Sequence, residues 1–160
     1  MAARHAIRTS RGGTGRDGTF TCRHFRRCAV LTGTAVLGKA TIPGREQSVP
    51  EARAFVGGVL GPGDPRSDVA RLLVSELVTN AVQHTLSRRP GGTVTVVVIE
   101  LAGSLRVEVI DEGSARNVPV VRDDMLATDG RGLFLVQSLA DEWGYLRESC
   151  GTTVWFHLAA

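Results

Sequence analysis

Glu76, Asn80 and His84 follow one another at intervals of four residues, so on a helix turning about 100° per residue they stack along one edge. Val69, Leu73, Val74, Leu77 and Ala81 fill the adjoining arc. A carboxylate and an amide beside such an apolar face cost stability unless something satisfies them. Two readings account for the pair. Glu76 and Asn80 can bond to nearby backbone, or Asn80 can offer a hard amide oxygen to Mg2+ with Glu76 as a general base one turn away. Asp111 presents another carboxylate where an alternating segment ends, and Glu112-Gly113 follows it, the glycine permitting close approach. An ionised carboxylate only accepts hydrogen bonds, which suits an adenine amino group; a solvated strand-end acid is the competing reading. Asp129-Gly130-Arg131-Gly132-Leu133 opens a helical pattern, and the free N–H groups of a helix start favour phosphate, although glycines also serve as ordinary caps. Gly151-Thr152-Thr153-Val154-Trp155 carries hydroxyls that can bond a base or a phosphate, or are simply β-branched strand residues.

These residues need elements to hold them. Ser48-Val-Pro-Glu51 reads as a capping box opening a helix that stops at Gly61-Pro62. Asp64 is expected to cap a second helix, with Pro65 at its first position, running to about Thr85. Thr93 to Leu101 is β-branched, Ala102-Gly103-Ser104 is a tight turn, and Leu105, Val107 and Val109 alternate with Arg106 and Glu108 on the return to Asp111. Glu112 to Asp129 lacks a period and is longer than most connections in a compact domain. Gly130 to Glu142 reads as a helix, and Trp143 to Arg147 with Thr152 to Leu158 as a hairpin. With a first strand after a basic arm, the order β, α, α, β, β, α, β, β predicts an α+β fold. Its form is a two-layer sandwich, with a mixed, mostly antiparallel sheet and helices on one face.

The 160 residues, 42% of them hydrophobic, suit one domain, and the longest apolar runs, Val96 to Ile99 and Leu133 to Val136, fall far short of a spanning helix. The net charge of +3 is unevenly placed: residues 1 to 27 hold seven arginines against Asp17, so they carry +6 and the remainder −3. We read residues 1–27 as a basic disordered arm and 28–160 as the folded domain. A folded part that is acidic argues against direct nucleic-acid binding. Cys22, Cys28 and Cys150 form no C-x-x-C pair and match a reducing compartment, the cytoplasm. Cys22, His24 and Cys28 lack the fourth ligand and the spacing of a zinc site. The apolar stretch after Arg26-Arg27 has the look of an export signal, but no A-x-A site follows, and a first strand is the preferred reading. Gly33-Thr-Ala-Val-Leu-Gly38-Lys39-Ala40 nearly spells a phosphate-binding P-loop, yet Ala40 has no hydroxyl for Mg2+ and Ile42-Pro43-Gly44 blocks the helix that should start there. Lys39 is the sole lysine, so any site demanding a catalytic lysine fails with that motif. No G-x-S-x-G or H-E-x-x-H is present.

Taken in order, Glu76-Leu-Val-Thr-Asn80-Ala81, Asp111-x-Gly113, Gly130-Arg-Gly132-Leu133 and Gly151-Thr-Thr-Val154 resemble the N, G1, G2 and G3 boxes of the Bergerat-fold (GHKL) ATPases. The chain looks most like the small stand-alone anti-sigma factor serine kinases, over about residues 35 to 158. The resemblance implies a histidine kinase-like ATP-binding domain using ATP and Mg2+. Asn80 would hold the metal against the phosphates, Asp111 would read adenine with Gly113 beside it, and Gly130, Arg131, Gly132 and Leu133 would cover the phosphates. Thr153 is taken as the threonine of the last box, and Glu76 would activate the acceptor. That acceptor would be a serine of an anti-sigma factor antagonist; a sigma factor is the other implied partner, and a homodimer is compatible with both. A membrane partner is not implied. The rival from a different class is a nucleotide-binding module that sequesters a sigma factor or another regulator without transferring phosphate. Such a module has no need of a base at Glu76.

Overall fold

The computed structural model describes residues 33–114 and 131–160. Strand β1 (Thr34–Pro43) is followed by a 3-10 turn at Glu46–Ser48, helix α1 (Val49–Leu60), helix α2 (Ser67–His84) and a second 3-10 turn at Leu86–Arg88. Strands β2 (Thr93–Leu101) and β3 (Ser104–Asp111), helix α3 (Arg131–Leu139), and strands β4 (Glu142–Glu148) and β5 (Gly151–Leu158) complete the domain. The sheet order is β1-β2-β3-β5-β4. Every neighbouring pair is antiparallel, so the expected mixed sheet contains no parallel pair. The element order is the one expected, and the whole is an α+β sandwich.

Alternation decides which side of the sheet meets the helices. In β3, Leu105, Val107, Val109 and Asp111 are buried while the residues between them are half-exposed. Register pairs these four with Leu158, Phe156, Val154 and Thr152 of β5. The helices supply Ala52, Val56, Ala70, Leu73, Val74, Leu77, Ala81 and Val136 to the same core. β2 joins the core through Val94, Val96 and Val98, and Val97 and Ile99 on its other face are also nearly inaccessible, which explains its unbroken apolar run. Ala102 and Gly103, at φ 45° and 92°, close the β2–β3 hairpin as a two-residue turn needing positive φ at both positions.

The local punctuation differs from expectation at three places. Ser48 makes no capping bond, and its buried hydroxyl lacks a partner, because a 3-10 turn delivers it to the helix in helical rather than extended backbone. Asp64 does not cap α2: its Oδ1 accepts from the backbone N–H of Arg66 at 2.9 Å and from the Arg66 Nε at 3.0 Å, and the helix starts at Ser67. α3 ends at Leu139, three residues earlier than Glu142. The Gly38-Lys39 motif lies inside β1, and a Cβ at Gly38 would meet Val59 Cγ2 at 2.7 Å. That glycine serves the packing of α1 on the edge strand, not a phosphate. The basic arm, the Cys22 and Cys28 pair, Gly130 and the Arg131 side chain lie outside the described residues. None of the described helices is long and apolar enough to cross a membrane.

Candidate functional site

α2 is the spine of the site. Its inner face is locked by Leu73, Val74, Leu77, Val78 and Ala81, all buried, while Glu76 and Asn80 sit half-exposed along its edge. α3 packs there with its first turn. A Cβ on Gly132 would lie 2.8 Å from Glu76 Oε2, 3.1 Å from Glu76 Cβ and 3.2 Å from Asn80 Nδ2. Glycine is therefore the residue that lets the N-terminus of α3 approach the carboxylate and the amide. Leu133 and Val136, both buried, anchor the helix to the core behind that contact. Leu133 thus holds α3 in place from below.

The second centre is the end of β3. Asp111 is buried, and burial pushes its carboxyl up to about 6. The backbone N–H groups of Gly113 and Thr152 act in the opposite direction, and the charge of Glu112 adds to the rise. Gly113, at φ 74°, turns its N–H back onto Asp111 Oδ1 at 2.6 Å. A Cβ on Gly151 would fall 2.0 Å from the Asp111 carbonyl oxygen, and one on Gly113 would lie 3.3 Å from Gly151 Cα. Backbone meets backbone at this point, and only glycines allow it.

The 3-10 turn that follows α2 ties the two centres together. The Leu86 N–H donates to the Gly113 carbonyl at 2.8 Å, and the Glu112 N–H donates to the buried Ser87 hydroxyl at 3.0 Å. Asn80 lies in the last turns of α2, which ends at His84, just before this turn. Glu76, Asn80 and Gly132 are thus gathered at one end, and Asp111, Gly113 and Gly151 at the other.

Thr153 belongs to neither group. It pairs with Ile110 and Leu146 on the side of the sheet away from the helices, whereas Thr152 pairs with Asp111 and is buried beside it. Of the two threonines, Thr152 and not the expected Thr153 is the one on the helix-covered face beside Asp111. Its signal was present in the chain: Val154, Phe156 and Leu158 are the apolar phase of β5, and period two carries Thr152 onto their face. Ser87 had no such signal, because its role arises from a contact across 25 residues.

A cation here would meet one amide oxygen from Asn80, with the Glu76 carboxylate a turn away. Among the described residues no cluster of three His, Cys, Asp or Glu side chains gathers to hold a metal. The donors present suit a hard ion such as Mg2+, which keeps water and phosphate oxygens as its other ligands.

Residues 42–158 match the model of the histidine kinase-like ATPase domain. Serine-protein kinase RsbW from Staphylococcus aureus strain bovine RF122 / ET3-1 is 28% identical over 128 residues, covering 71% of this chain and 80% of that protein. The protein of the same name from strain MRSA252 gives the same figures. A crystal structure of the RsbU and RsbW domains of Rv1364c from Mycobacterium tuberculosis aligns with a TM-score of 0.53 at 20% identity, over 76% of this chain. The chain spans about a third of that structure's length, 32%, so the likeness speaks for the fold. With the matched region running from the end of β1 to the end of β5, across both clusters of site residues, the chain belongs to the histidine kinase-like ATPase domain family.

Proposed function

We propose that the chain is an ATP-dependent protein-serine kinase of the anti-sigma factor type, transferring the γ-phosphate of ATP to a serine of an anti-sigma factor antagonist. The observation that carries this reading is the approach of Gly132 to Glu76 and Asn80, which sets a carboxylate and an amide beside the start of α3. Asp111 would accept a hydrogen bond from the adenine amino group, and Thr152, beside it, would complete the base end. Asn80 would hold Mg2+, which when bound neutralises phosphate charge. The N–H groups at the start of α3 would face the phosphates. Glu76 would take the proton from the serine hydroxyl as its oxygen bonds to the γ-phosphorus and the bond to the ADP oxygen breaks. Positioning and charge neutralisation are the main demands of such a transfer. We place the reaction in the cytoplasm, with a sigma factor as the second partner, as the sequence resemblance suggests.

The test is transfer of label from γ-labelled ATP to candidate antagonists, with Glu76→Gln as the comparison. Glu76→Gln is expected to bind ATP within about threefold of the unaltered protein and to lose transfer by at least about 100-fold, in the usual range for a general base. Equal transfer by both proteins removes Glu76 as the base. Tight ATP binding without transfer to any antagonist favours the non-catalytic sequestering module.

A further inference from the structure

Arg147 lies on β4, and register places it opposite Thr152, which in turn pairs with Asp111. Paired residues of adjacent antiparallel strands share a face, so the three side chains form one row on the helix-covered side. Arg147 crosses the end of this row, and its Nη2 donates to the Ser114 carbonyl.

With that bond, each residue of the turn after β3 is held. The Glu112 N–H donates to Ser87, the Gly113 N–H to Asp111, the Gly113 carbonyl accepts from Leu86, and the Ser114 carbonyl accepts from Arg147. The first and third of these anchors come from the 3-10 turn after α2, on one side. Arg147 anchors the turn from the β4 side. The turn needs holding because Gly113 occupies φ 74° without a side chain to restrict it, and a glycine there loses much backbone freedom on ordering. Gly113, Thr152 and Glu112 are the described residues that act on the Asp111 carboxyl, whereas Arg147 bears on the backbone beside it. Its influence is geometric, through the backbone, and a planar guanidinium on a long stem suits a carbonyl that must be fixed in direction.

We infer that Arg147 is a positioning residue for the base-binding end of the site, clamping the Glu112–Ser114 turn from β4 so that the Gly113 N–H and the Asp111 carboxylate keep their relative placement. This rests on the reading of Asp111 as the adenine-binding group, and it assigns Arg147 no contact with the phosphates.

The experiment compares the full-length protein with Arg147→Met, which keeps the apolar stem, and Arg147→Lys, which keeps a cationic donor. Amide hydrogen exchange is followed in the nucleotide-free proteins, and binding of Mg-ATP and of Mg-tripolyphosphate, which lacks a base, is measured by calorimetry. Arg147→Met is expected to speed exchange at Gly113 and Ser114 and to weaken ATP about tenfold, the order of one lost charge-assisted hydrogen bond. Tripolyphosphate affinity should stay within about twofold, and Arg147→Lys should recover part of the ATP affinity, because the bond and not the packing is at issue. Unchanged exchange, or equal losses for ATP and tripolyphosphate, overturns the inference. If Arg147→Met does not fold, Arg147→Lys carries the same readouts, and full ATP affinity with unaltered exchange in it counts against the role only where Arg147→Gln is equally unaffected. Failure of the unaltered protein to bind ATP overturns the reading of the site itself, a result separate from any difference between variants.

Discussion

A buried aspartate that titrates near 6 is held ionised at neutral pH against its surroundings, and Asp111 shows what this costs. Its folded value lies above the ordinary 3.8, so its contribution to stability is complete below about pH 4 and is lost as the pH rises through about 6. A shift of that size corresponds to about 3 kcal/mol as an order of magnitude. Asp111→Asn should therefore raise the melting temperature of the empty domain at pH 7.5 and leave it nearly unchanged at pH 4, as thermal melts at the two pH values would show. On the proposed reading of Asp111, nucleotide should reverse the preference, because the ionised carboxylate is the better acceptor for an adenine amino group. ATP affinity should fall as pH drops through about 6, and binding near that pH should release a proton, visible as a dependence of calorimetric heat on buffer ionisation. Asp111→Asn should abolish this proton release and weaken ATP more than GTP, which has no amino group at that ring position. Proton release that survives in Asp111→Asn would assign it to another group. The same side chain thus destabilises the fold and, on that reading, equips the site.

At the scale of elements, the contact between α2 and α3 is the one most sensitive to a single methyl group. Alanine in place of glycine within a helix ordinarily gains up to about 1 kcal/mol. At Gly132 the added carbon would press on Glu76 Cβ at 3.1 Å as well as on the movable carboxylate tip at 2.8 Å, so α3 has to retreat. Gly132→Ala is expected to destabilise by about 1 to 3 kcal/mol, the usual cost of overpacking, and to weaken Mg-ATP at least about tenfold. A gain in stability with full affinity would show that α3 does not seat against Glu76 and Asn80. The elements themselves were legible, because β2, β3 and β5 alternate strongly and α2 shows a clear apolar arc. Ser48 and Asp64 misled because capping signals are local, and a 3-10 turn at Ser48 and an ion pair with Arg66 redirected them. The register at Thr152 was readable from the strand phase, whereas the anchoring by Ser87 and Arg147 depends on contacts between distant segments and leaves no spacing to read.

For the molecule as a whole, the division of charge matters more than its sum. Residues 1 to 27 carry +6 while the remaining chain carries −3, so removing the arm leaves an acidic domain facing a polyanionic nucleotide. The family match begins at residue 42, and both ends of the site are built from residues after it, Glu76 to Thr152. Contacts with ATP should thus survive truncation, and what changes is the long-range field. Charges separated by more than about 8 Å are largely screened at physiological ionic strength, and by about 30 Å at 0.01 M. Deletion of residues 1–27 is accordingly expected to leave the ATP dissociation constant within about twofold at 0.15 M salt and to slow association severalfold at 0.01 M, measured by stopped-flow fluorescence of a labelled nucleotide. A tenfold or greater loss of affinity at 0.15 M would mean that the arm touches the nucleotide directly, because screening leaves the field too weak at that salt to account for it.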